Sequence, residues 1–468
     1  MSYQVPQHIN KGKIFIVNRS SIDNRLDAQY YRANLDLSGF VKLSSVAIIK
    51  GGKRIPKGYG YSDEATPYHY LRVADMDSDA QVDVNKLMNI SEEVFNILER
   101  YEITEGELAI SIAGTIGKTA ILKNIPDGKR IILTENCAKI LVRPNIKLLS
   151  EYLKICLKLP IVKKQLDLNY IQTTIPKLGL DKIVSIKIPP VPNIQRQQEI
   201  VDHINEAYTQ KQTKEAEAQQ LLDSIDGYLL KELGIIIPKV KTDLNSRMFV
   251  VQKKDLKGRY TPSLYKDAVT LHSTIYENVP LSHLAYINPN TRIPNQNKEM
   301  PISFVPMESV NEIYAEITEH KDCFTEESKG FTRFQEGDLL WAKITPCMEN
   351  GKSAIAKGLT NGYGCGSTEF HVIRPKNDDL LIEYIHCLLH MKLVRQTAKL
   401  YFGGSAGQQR VATDFLENFN VPLPPKVKQK EIVVYIADIR ARAKALQTEG
   451  KTILENAKRK VEQMIIGE

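Results

Sequence analysis

The amino-acid sequence predicts an α+β protein with two pseudo-repeated globular domains, separated by two long helices that form an antiparallel coiled coil. Three observations support this fold class: residue strings that occur twice, short β-like runs mixed with helical stretches, and two proline-led heptad segments. With 468 residues, the chain has room for about three domain-sized units.

The repetition covers both halves of the chain. Segment 43–56 returns as segment 281–294 with seven of fourteen residues identical, and segment 199–201 returns 232 positions later as 431–433. The pair Thr134-Glu135 also returns, as Thr368-Glu369. A repeat of this length is a domain with its connector rather than a solenoid unit. We interpret the closely repeated strings as a shared scaffold and the diverging loops as two recognition surfaces of different specificity.

Each half mixes short strands with helices. β-like runs broken by Gly/Pro turns occur at 43–50, 108–113, 130–133 and 183–188, and the clearest helical stretches are 148–159 and 380–389. This mixture favours α+β over a regular βαβ alternation. We predict a first domain with its lead-in at 1–192, a first long helix at 193–233, a linker with the second domain at 234–425, and a second long helix at 426–468.

Apolar residues recur in steps of four and three in both predicted long helices, which is the pattern of a coiled-coil seam. The seam includes Ile200, Ile204, Leu221, Ile225, Ile432, Ile436, Ile439, Leu446 and Ile453. Prolines before each helix set its start. The two helices are expected to pack on each other within the chain, and an oligomerisation coiled coil between chains is the alternative. Lys211 and Lys214 interrupt the first seam.

Composition excludes several classes of protein. The chain is 42% hydrophobic and has no apolar run of about 18 residues, so no membrane span is expected. Its N-terminus lacks the pattern of a signal peptide. Six cysteines without a C-x-x-C pair fit a cytoplasmic protein with neither zinc nor disulfides. The net charge of +8 is compatible with a polyanionic partner but does not require one.

Motifs of catalysis are missing from the sequence. The phosphate-loop pattern fails because Ile112 and Pro346 stand where glycine is required. Neither an Asp/Asn-Pro-Pro-aromatic strip nor an H-E-x-x-H or G-x-S-x-G motif occurs. His386 and His390, four residues apart, more often indicate core or surface than metal. We therefore predict a non-catalytic chain with no metal and no cofactor of its own.

Polar and basic loops are the candidate binding sites, because mobile cations suit phosphates while Arg, Asn, Gln, Ser and Thr suit base edges. In the first half they are Lys50, Lys53, Arg54, Lys57, Thr115, Lys118, Gln172, Thr173, Thr174 and Lys177. In the second half they are Asn290, Thr291, Arg292, Lys343, Thr345, Asn350, Lys352, Ser405, Gln408, Gln409 and Arg410. We expect Arg54, Lys118, Arg292 and Lys352 to hold phosphates. Each loop could equally be an ordinary solvated surface.

The chain resembles the specificity subunit of type I restriction–modification systems. The strongest matches are the proline-led segments 188–200 and 421–432, each with a Pro-Pro pair followed by Gln, Glu and Ile at the start of the long helix. Segments 106–118 and 337–352, which contain the Gly-Lys turns, match next. The resemblance covers essentially the whole chain in the right order.

This resemblance implies two target-recognition domains, each reading one half of an asymmetric bipartite site in double-stranded DNA. The coiled coil would fix the spacer and dock two modification subunits, which are adenine-N6 methyltransferases that hold S-adenosylmethionine. Restriction subunits, which combine a motor and a nuclease, would use ATP and Mg²⁺. The alternatives are a methylation-only or phage-exclusion system with the same architecture, a standalone methyltransferase, and a coiled-coil scaffold that binds only proteins.

Overall fold

The computed structural model describes residues 35–76, 82–169, 176–237, 250–251, 271–293, 299–404 and 408–467, with positions 16–17, 19, 22 and 28–33 before them. It contains two compact units. Unit 1 consists of residues up to Lys211 together with those from Lys451 onward, and unit 2 consists of Gln212–Gly450. None of the helices in these ranges is both long and apolar enough to cross a membrane.

Unit 1 contains two four-stranded sheets. Sheet 1A is antiparallel throughout, in the order Ala47–Gly51, Cys137–Val142, Leu108–Ser111 and Thr119–Ile121. Sheet 1B has the order Met88–Asn89, Tyr68–Leu71, Arg130–Leu133 and Glu102–Ile103, with a parallel central pair. A short ladder joins Val41–Lys42 to Lys187–Ile188.

Unit 2 repeats both sheets with the same strand order. Sheet 2A consists of Ala285–Ile287, Phe370–Pro375, Leu339–Ala342 and Ser353–Ile355. Sheet 2B consists of Lys321–Phe324, Pro301–Val305, Tyr363–Gly366 and Thr332–Gln335, again with a parallel central pair. Three two-stranded ladders accompany them, namely Asn278–Pro280 with Asn420–Pro422, Val310–Asn311 with Glu316–Ile317, and Phe402–Gly403 with Arg410–Val411.

Four short helices of unit 1 have counterparts in unit 2, whereas Glu92–Leu98 and Cys347–Asn350 have none among the described residues. Unit 1 has Ala28–Arg32, Leu43–Val46, Glu92–Leu98, Ser150–Lys158, Pro160–Asp167 and Leu180–Ser185. Unit 2 has Leu281–Leu284, Cys347–Asn350, Ile382–His390, Lys392–Lys399 and Thr413–Glu417. Helix Ser150–Lys158 forms because its apolar residues recur at helical spacing, so that Tyr152, Leu153, Cys156 and Leu157 are all buried.

The predicted α+β fold with duplicated domains is confirmed, and two local predictions were wrong. Run 43–50 begins as one helical turn, Leu43–Val46, because burial of Leu43 and Val46 on the same side requires a helical turn rather than a strand. Run 183–188 is a helix, Leu180–Ser185, followed by the short strand Lys187–Ile188. Both runs are apolar and short, and periodicity alone does not separate strand from helix at that length.

The predicted long helices span Ile194–Glu232 and Lys426–Ile466, with 39 and 41 residues. In unit 1, Ile200, Ile204 and Ala207 share a core with Leu454, Ala457 and Val461. In unit 2, Ile225, Leu229 and Leu233 share a core with Ile432, Ile436 and Ile439. Of the other seam residues, Leu221, Leu446 and Ile453 are partly buried, and Leu454 is more deeply buried than its neighbour Ile453.

Three pairs within unit 2 give the direction of the two helices. Lys214 lies 3.3 Å from Glu449, the Tyr228 and Tyr435 rings are 4.1 Å apart, and Glu232 lies 2.6 Å from Lys428. As the residue number rises along the first helix it falls along the second, so the helices are antiparallel. The polar position Lys214 is thus accommodated by an ion pair at the edge of the seam.

A buried glutamine fixes the start of each long helix to its domain. The Gln197 amide nitrogen donates to the carbonyls of Lys147 and Pro192, both at 2.8 Å, and its oxygen accepts from the Leu149 amide at 2.8 Å. Gln429 repeats the arrangement with Asp379, Pro424 and Leu381 at 2.9–3.0 Å. Both side chains are almost fully buried. Each buried amide therefore satisfies three backbone groups at a partly buried junction between the helix and its domain.

Replacing either glutamine by leucine should lower the free energy of unfolding by about 3 kcal/mol, because three backbone groups at a partly buried junction lose their partner. The measurement is urea unfolding of the full chain. The matched control is Gln198→Leu, since Gln198 is exposed and bonds only to Asp202 on the next turn. If Gln197→Leu were as stable as this control, the amide would not hold the helix.

Helix Ile382–His390 carries one buried histidine, His386, and one partly buried histidine, His390. The His386 Nε2 lies 2.9 Å from the Ser353 Oγ, and the His390 Nε2 donates to the Glu312 carbonyl at 2.9 Å. Burial lowers the pKa of His390 to about 3 and that of His386 well below its ordinary value. In the described residues no cluster of His, Cys, Asp and Glu has the composition of a metal site. Their lowered pKa values make both histidines neutral side chains, each held by a hydrogen bond within unit 2.

Stability should fall as the pH drops below about 6.5, because the unfolded chain binds a proton at His390 that the folded chain does not bind until about pH 3. The free energy of unfolding is thus highest above the pKa of the unfolded chain, and it falls by about 1.4 kcal/mol for each pH unit below that pKa. The measurement compares urea unfolding of the wild type and His390→Gln between pH 7 and about pH 5. His390→Gln should show a shallower slope than a control at the exposed His283. Equal slopes would contradict this assignment.

Candidate nucleic-acid interface

The loop that follows strand Ala47–Gly51 lies directly on the turn after strand Arg130–Leu133. The Gly52 amide donates to the Cys137 carbonyl and the Lys53 amide to the Leu133 carbonyl, both at 2.9 Å. A Cβ atom at Gly52 would lie 2.1 Å from the Thr134 carbonyl oxygen, so only glycine permits this approach. The basic loop at 53–57 is therefore held beside Glu135.

Glu135 organises this loop. Its Oε1 accepts from the Arg54 Nε at 2.6 Å, and its Oε2 accepts from the Thr134 hydroxyl at 2.9 Å. Burial alone would raise the pKa of Glu135, but these hydrogen bonds lower it below its ordinary value. The Arg54 side chain remains 79% exposed. Because only the Nε is bonded to Glu135, the terminal nitrogens of the guanidinium face solvent.

A cavity of about 350 Å³ lies beside this pair, and its lining includes Tyr61, Tyr70, Arg72 and Asn136. The Tyr70 hydroxyl donates to the Lys53 carbonyl at 2.7 Å, and burial raises the pKa of Tyr70 to about 12. The Tyr61 side chain is exposed, with the Arg72 guanidinium 5.9 Å from the centre of its ring. The cavity thus combines aromatic faces with hydrogen-bonding groups.

Three predicted lysines at this edge are exposed, namely Lys50 near the end of strand Ala47–Gly51 and Lys53 and Lys57 in the loop after it. None of them forms an ion pair with another residue in the described part of the chain. Lys118, from the Gly-Lys turn, is different: its Nζ donates to the Met76 carbonyl at 3.4 Å. The structure therefore separates three solvent-facing cations from one lysine that ties the turn to a neighbouring loop.

The Gly-Lys turn of unit 1 lies against the segment that contains Lys177. The Leu178 amide donates to the Ile112 carbonyl at 2.8 Å, and Ala113 and Lys177 form a β-bridge. Thr115 is exposed on the same turn. Two of the predicted loops are thus neighbours in space. The predicted base-contacting residues Gln172, Thr173 and Thr174 lie outside the described residues.

In unit 2 the equivalent glutamate holds a different arginine. Glu369 accepts from the Arg410 Nε and Nη2 at 2.7–3.1 Å, and the Arg410 Nη1 donates to the Gln408 carbonyl at 3.0 Å. These bonds lower the pKa of Glu369. Arg292, the sequence counterpart of Arg54, is exposed instead. The carboxylate position is therefore constant, whereas its arginine comes from a different loop in each unit.

Segment 343–350, where unit 2 has three more residues than unit 1 between the repeated glycines, joins the Arg410 segment. The Val411 amide donates to the Lys343 carbonyl at 2.9 Å, and the Thr345 amide donates to the Gln409 carbonyl at 3.0 Å. The inserted residues form the turn of helix Cys347–Asn350, which ends at Gly351 with a φ of 92°. Lys343, Thr345, Gln409 and Arg410 are thus brought together, and Asn350 and Gln408 are exposed nearby in sequence.

Two further predictions for unit 2 need correction. Thr291 is buried, and its hydroxyl accepts from the Arg374 guanidinium at 2.8 Å, so it is part of the interior. The Lys352 side chain is only 17% exposed, and its Nζ donates to the Met307 carbonyl at 3.0 Å, as Lys118 does in unit 1. These contacts leave little of either residue for a phosphate. Asn290 is exposed, and Ser405 lies outside the described residues.

Sequence reasoning missed Glu135, Glu369, Tyr61 and Arg72. The repeat of Thr134-Glu135 as Thr368-Glu369 is visible in the sequence, but a closely repeated string predicts scaffold rather than a binding site. The informative feature is that the repeated glutamate binds a different arginine in each unit. The sequence alone does not show this pairing, because one arginine precedes its glutamate in the chain and the other follows it.

The fold and these surfaces define a tandem of two equivalent α+β modules, each with a basic edge and a long helix. The family model for the type I restriction modification DNA specificity domain matches residues 9–223 and 276–456. The chain therefore belongs to this family.

Individual relatives agree with that family. The chain is 36% identical over 192 residues to the EcoEI specificity subunit of Escherichia coli, covering 41% of this chain and 32% of the relative. It is 31% identical over 295 residues to the EcoAI specificity subunit of the same organism, covering 57% and 49%. The matches thus span about a third to a half of these relatives' lengths.

One solved structure shares the fold across most of the chain. It is described as showing complex assembly and conformational transition of the type I R-M system. The alignment covers 91% of this chain and 96% of the other, with a TM-score of 0.52 and 16% identity. At that identity the likeness concerns the fold alone.

Proposed function

We propose that this chain is the DNA-recognition subunit of a type I restriction–modification complex and that it reads an asymmetric, bipartite duplex site with one unit on each half. The observation that carries the proposal is the glutamate–arginine pair at the same place in both units. Glu135 holds Arg54, and Glu369 holds Arg410 from a different loop. Two different half-sites require the same fold with different contacting residues, and here the glutamate is constant while its arginine differs.

The residues divide by chemistry. The exposed cations Lys50, Lys53 and Lys57 suit phosphate oxygens, since they are mobile and not engaged in ion pairs within the described chain. Arg54 suits a base edge, because Glu135 fixes its Nε and leaves the terminal nitrogens to donate to guanine O6 and N7. Its assignment therefore changes from phosphate contact to base contact. In unit 2 the Lys343, Gln408 and Gln409 side chains are the corresponding candidates.

Catalysis would reside in partner subunits. Two methyltransferase subunits with S-adenosylmethionine would modify adenine N6, and restriction subunits with ATP and Mg²⁺ would cleave. Methylome sequencing of cells with and without the chain tests the whole proposal. A split, adenine-modified motif should disappear when the chain is absent. If every methylated motif persisted, the chain would not direct methylation. A phage-restriction assay distinguishes a complete restriction system from a methylation-only one.

Lys53→Ala or Lys57→Ala should weaken binding to every duplex alike, because each removes a phosphate contact. The slope of log K against log salt should become less steep by about one unit for each lysine. The measurement is fluorescence anisotropy at several salt concentrations, with the chain bound to its methyltransferase subunits. Lys163→Ala, at an exposed position on helix Pro160–Asp167, is the matched control. Loss of affinity for only one sequence would contradict the phosphate role.

Glu135→Gln should reduce affinity for the cognate site about tenfold and leave non-cognate affinity almost unchanged, since a neutral amide that no longer accepts from the Thr134 hydroxyl would hold the Arg54 guanidinium less firmly. The two duplexes have equal length, and the cognate motif is taken from the methylome. Glu64→Gln removes an exposed carboxylate from the same unit and serves as control. An equal loss on both duplexes would show that Arg54 does not read a base.

A further inference from the structure

Unit 2 contains a second cavity, of about 480 Å³, on the side of the second long helix. Its walls are the helix residues Ile436 and Arg440, the turn at Tyr314, and the buried His386 and Cys387 of helix Ile382–His390. The volume lies in the range of ligand-sized pockets. The cavity lies entirely within unit 2 and takes no part in the candidate nucleic-acid interface.

Two donors in this cavity lack partners. The Arg440 Nε and the Tyr314 Oη are inaccessible to solvent and make no hydrogen bond. Only five buried side-chain atoms in the described residues are unsatisfied in this way, and two of the five line this one cavity. A buried donor without an acceptor is costly, so two in one place indicate that an acceptor is supplied from elsewhere.

The charges of the cavity identify that acceptor as an anion. Lys357 pairs with Glu383 at 2.9 Å, and Lys444 pairs with Glu316, so these charges balance. Arg440 has no carboxylate partner among the described residues. Neither His386, which is neutral, nor Cys387, whose pKa burial raises to about 11, supplies negative charge. One positive charge therefore remains uncompensated in a partly closed site.

Part of the surface beside the cavity is apolar. On the same helix Val427 and Val434 are 72% and 59% exposed, and Ala437 and Ala441, which also line the cavity, are exposed as well. The spacing of three, four and seven residues places these side chains along one stripe. A free anion would leave this stripe in water, whereas a protein surface would cover it. The occupant is therefore an acidic side chain on a partner protein.

We propose that this cavity is a docking socket for an Asp or Glu side chain of one methyltransferase subunit, whose backbone covers the Val427–Ala441 stripe. The Arg440 and Tyr314 side chains, whose unpaired donors are covered in the free chain, turn into the cavity on binding and donate to that carboxylate. The proposal rests on the proposed function for the identity of the partner. It adds the chemistry and the place of the contact.

The socket is specific to unit 2. Tyr208 occupies the position of Arg440 in the first repeat, 232 residues earlier, and its side chain packs against the unit 1 core. The guanidinium therefore has no counterpart there. If two identical methyltransferase subunits bind the chain, only one of them uses an acidic side chain in this way. The two binding events should consequently respond differently to a change at Arg440.

Arg440→Met tests the socket by calorimetric titration of the full chain with the co-encoded methyltransferase subunit. One of the two binding events should weaken about 30-fold or more, because its carboxylate would be buried without a partner, and the other should keep its wild-type Kd. The free variant should be at least as stable as the wild type in thermal unfolding, since an uncompensated charge is removed. Tyr314→Phe should weaken the same event about tenfold.

Arg442→Met is the matched control, because Arg442 lies on the same helix and pairs with Asp438 at the surface. If the wild type binds and Arg440→Met binds equally well at both sites, the socket is wrong while the proposed function stands. The socket is equally wrong if acetate stabilises the wild type but not Arg440→Met while partner binding is unchanged. If the wild type binds no methyltransferase subunit, the proposed function fails and the socket fails with it.

Discussion

The buried amides of Gln197 and Gln429 are the constraint on which the rest of each unit depends. Each amide satisfies backbone groups from the domain and from the proline segment that precedes the helix. Because a glutamine side chain offers donors and an acceptor in a fixed plane, it orients the helix as well as attaching it. The start of the long helix is thereby tied to the domain of its own unit.

Other repeated residues extend this frame. Glu105 accepts from the amides of Asn124 and Ile125, and Glu336 accepts from the equivalent amides in unit 2. A carboxylate that caps a turn cannot be exchanged without loss of those bonds, whereas a side chain at the exposed edge can be exchanged freely. As a consequence, the two repeats differ in sequence mainly in the loops at the exposed edge. Two units can then read different surfaces without any change in fold.

The sequence was sufficient for features that depend on local pattern, and it failed where a partner comes from far away. The heptad seam and the proline-led starts predicted both long helices, because periodicity and proline act within a few residues. Thr291 and Lys352 were misassigned, since their partners Arg374 and Met307 lie 83 and 45 positions away. The glutamate–arginine pairs were missed for the same reason. An exposed cation and a tethered one look identical in a sequence.

Arg440 shows a different limit of sequence-based prediction, because the informative feature is a hydrogen-bond acceptor that this arginine lacks. The repeat alignment shows only that tyrosine in one half becomes arginine in the other. The structure adds that this arginine is placed among balanced pairs and neutral core groups, with a second orphaned donor in the same cavity. A charge in that position destabilises the isolated chain unless something compensates it. Its presence therefore indicates that a partner protein compensates it, in a complex where the two otherwise equivalent units make unequal contacts.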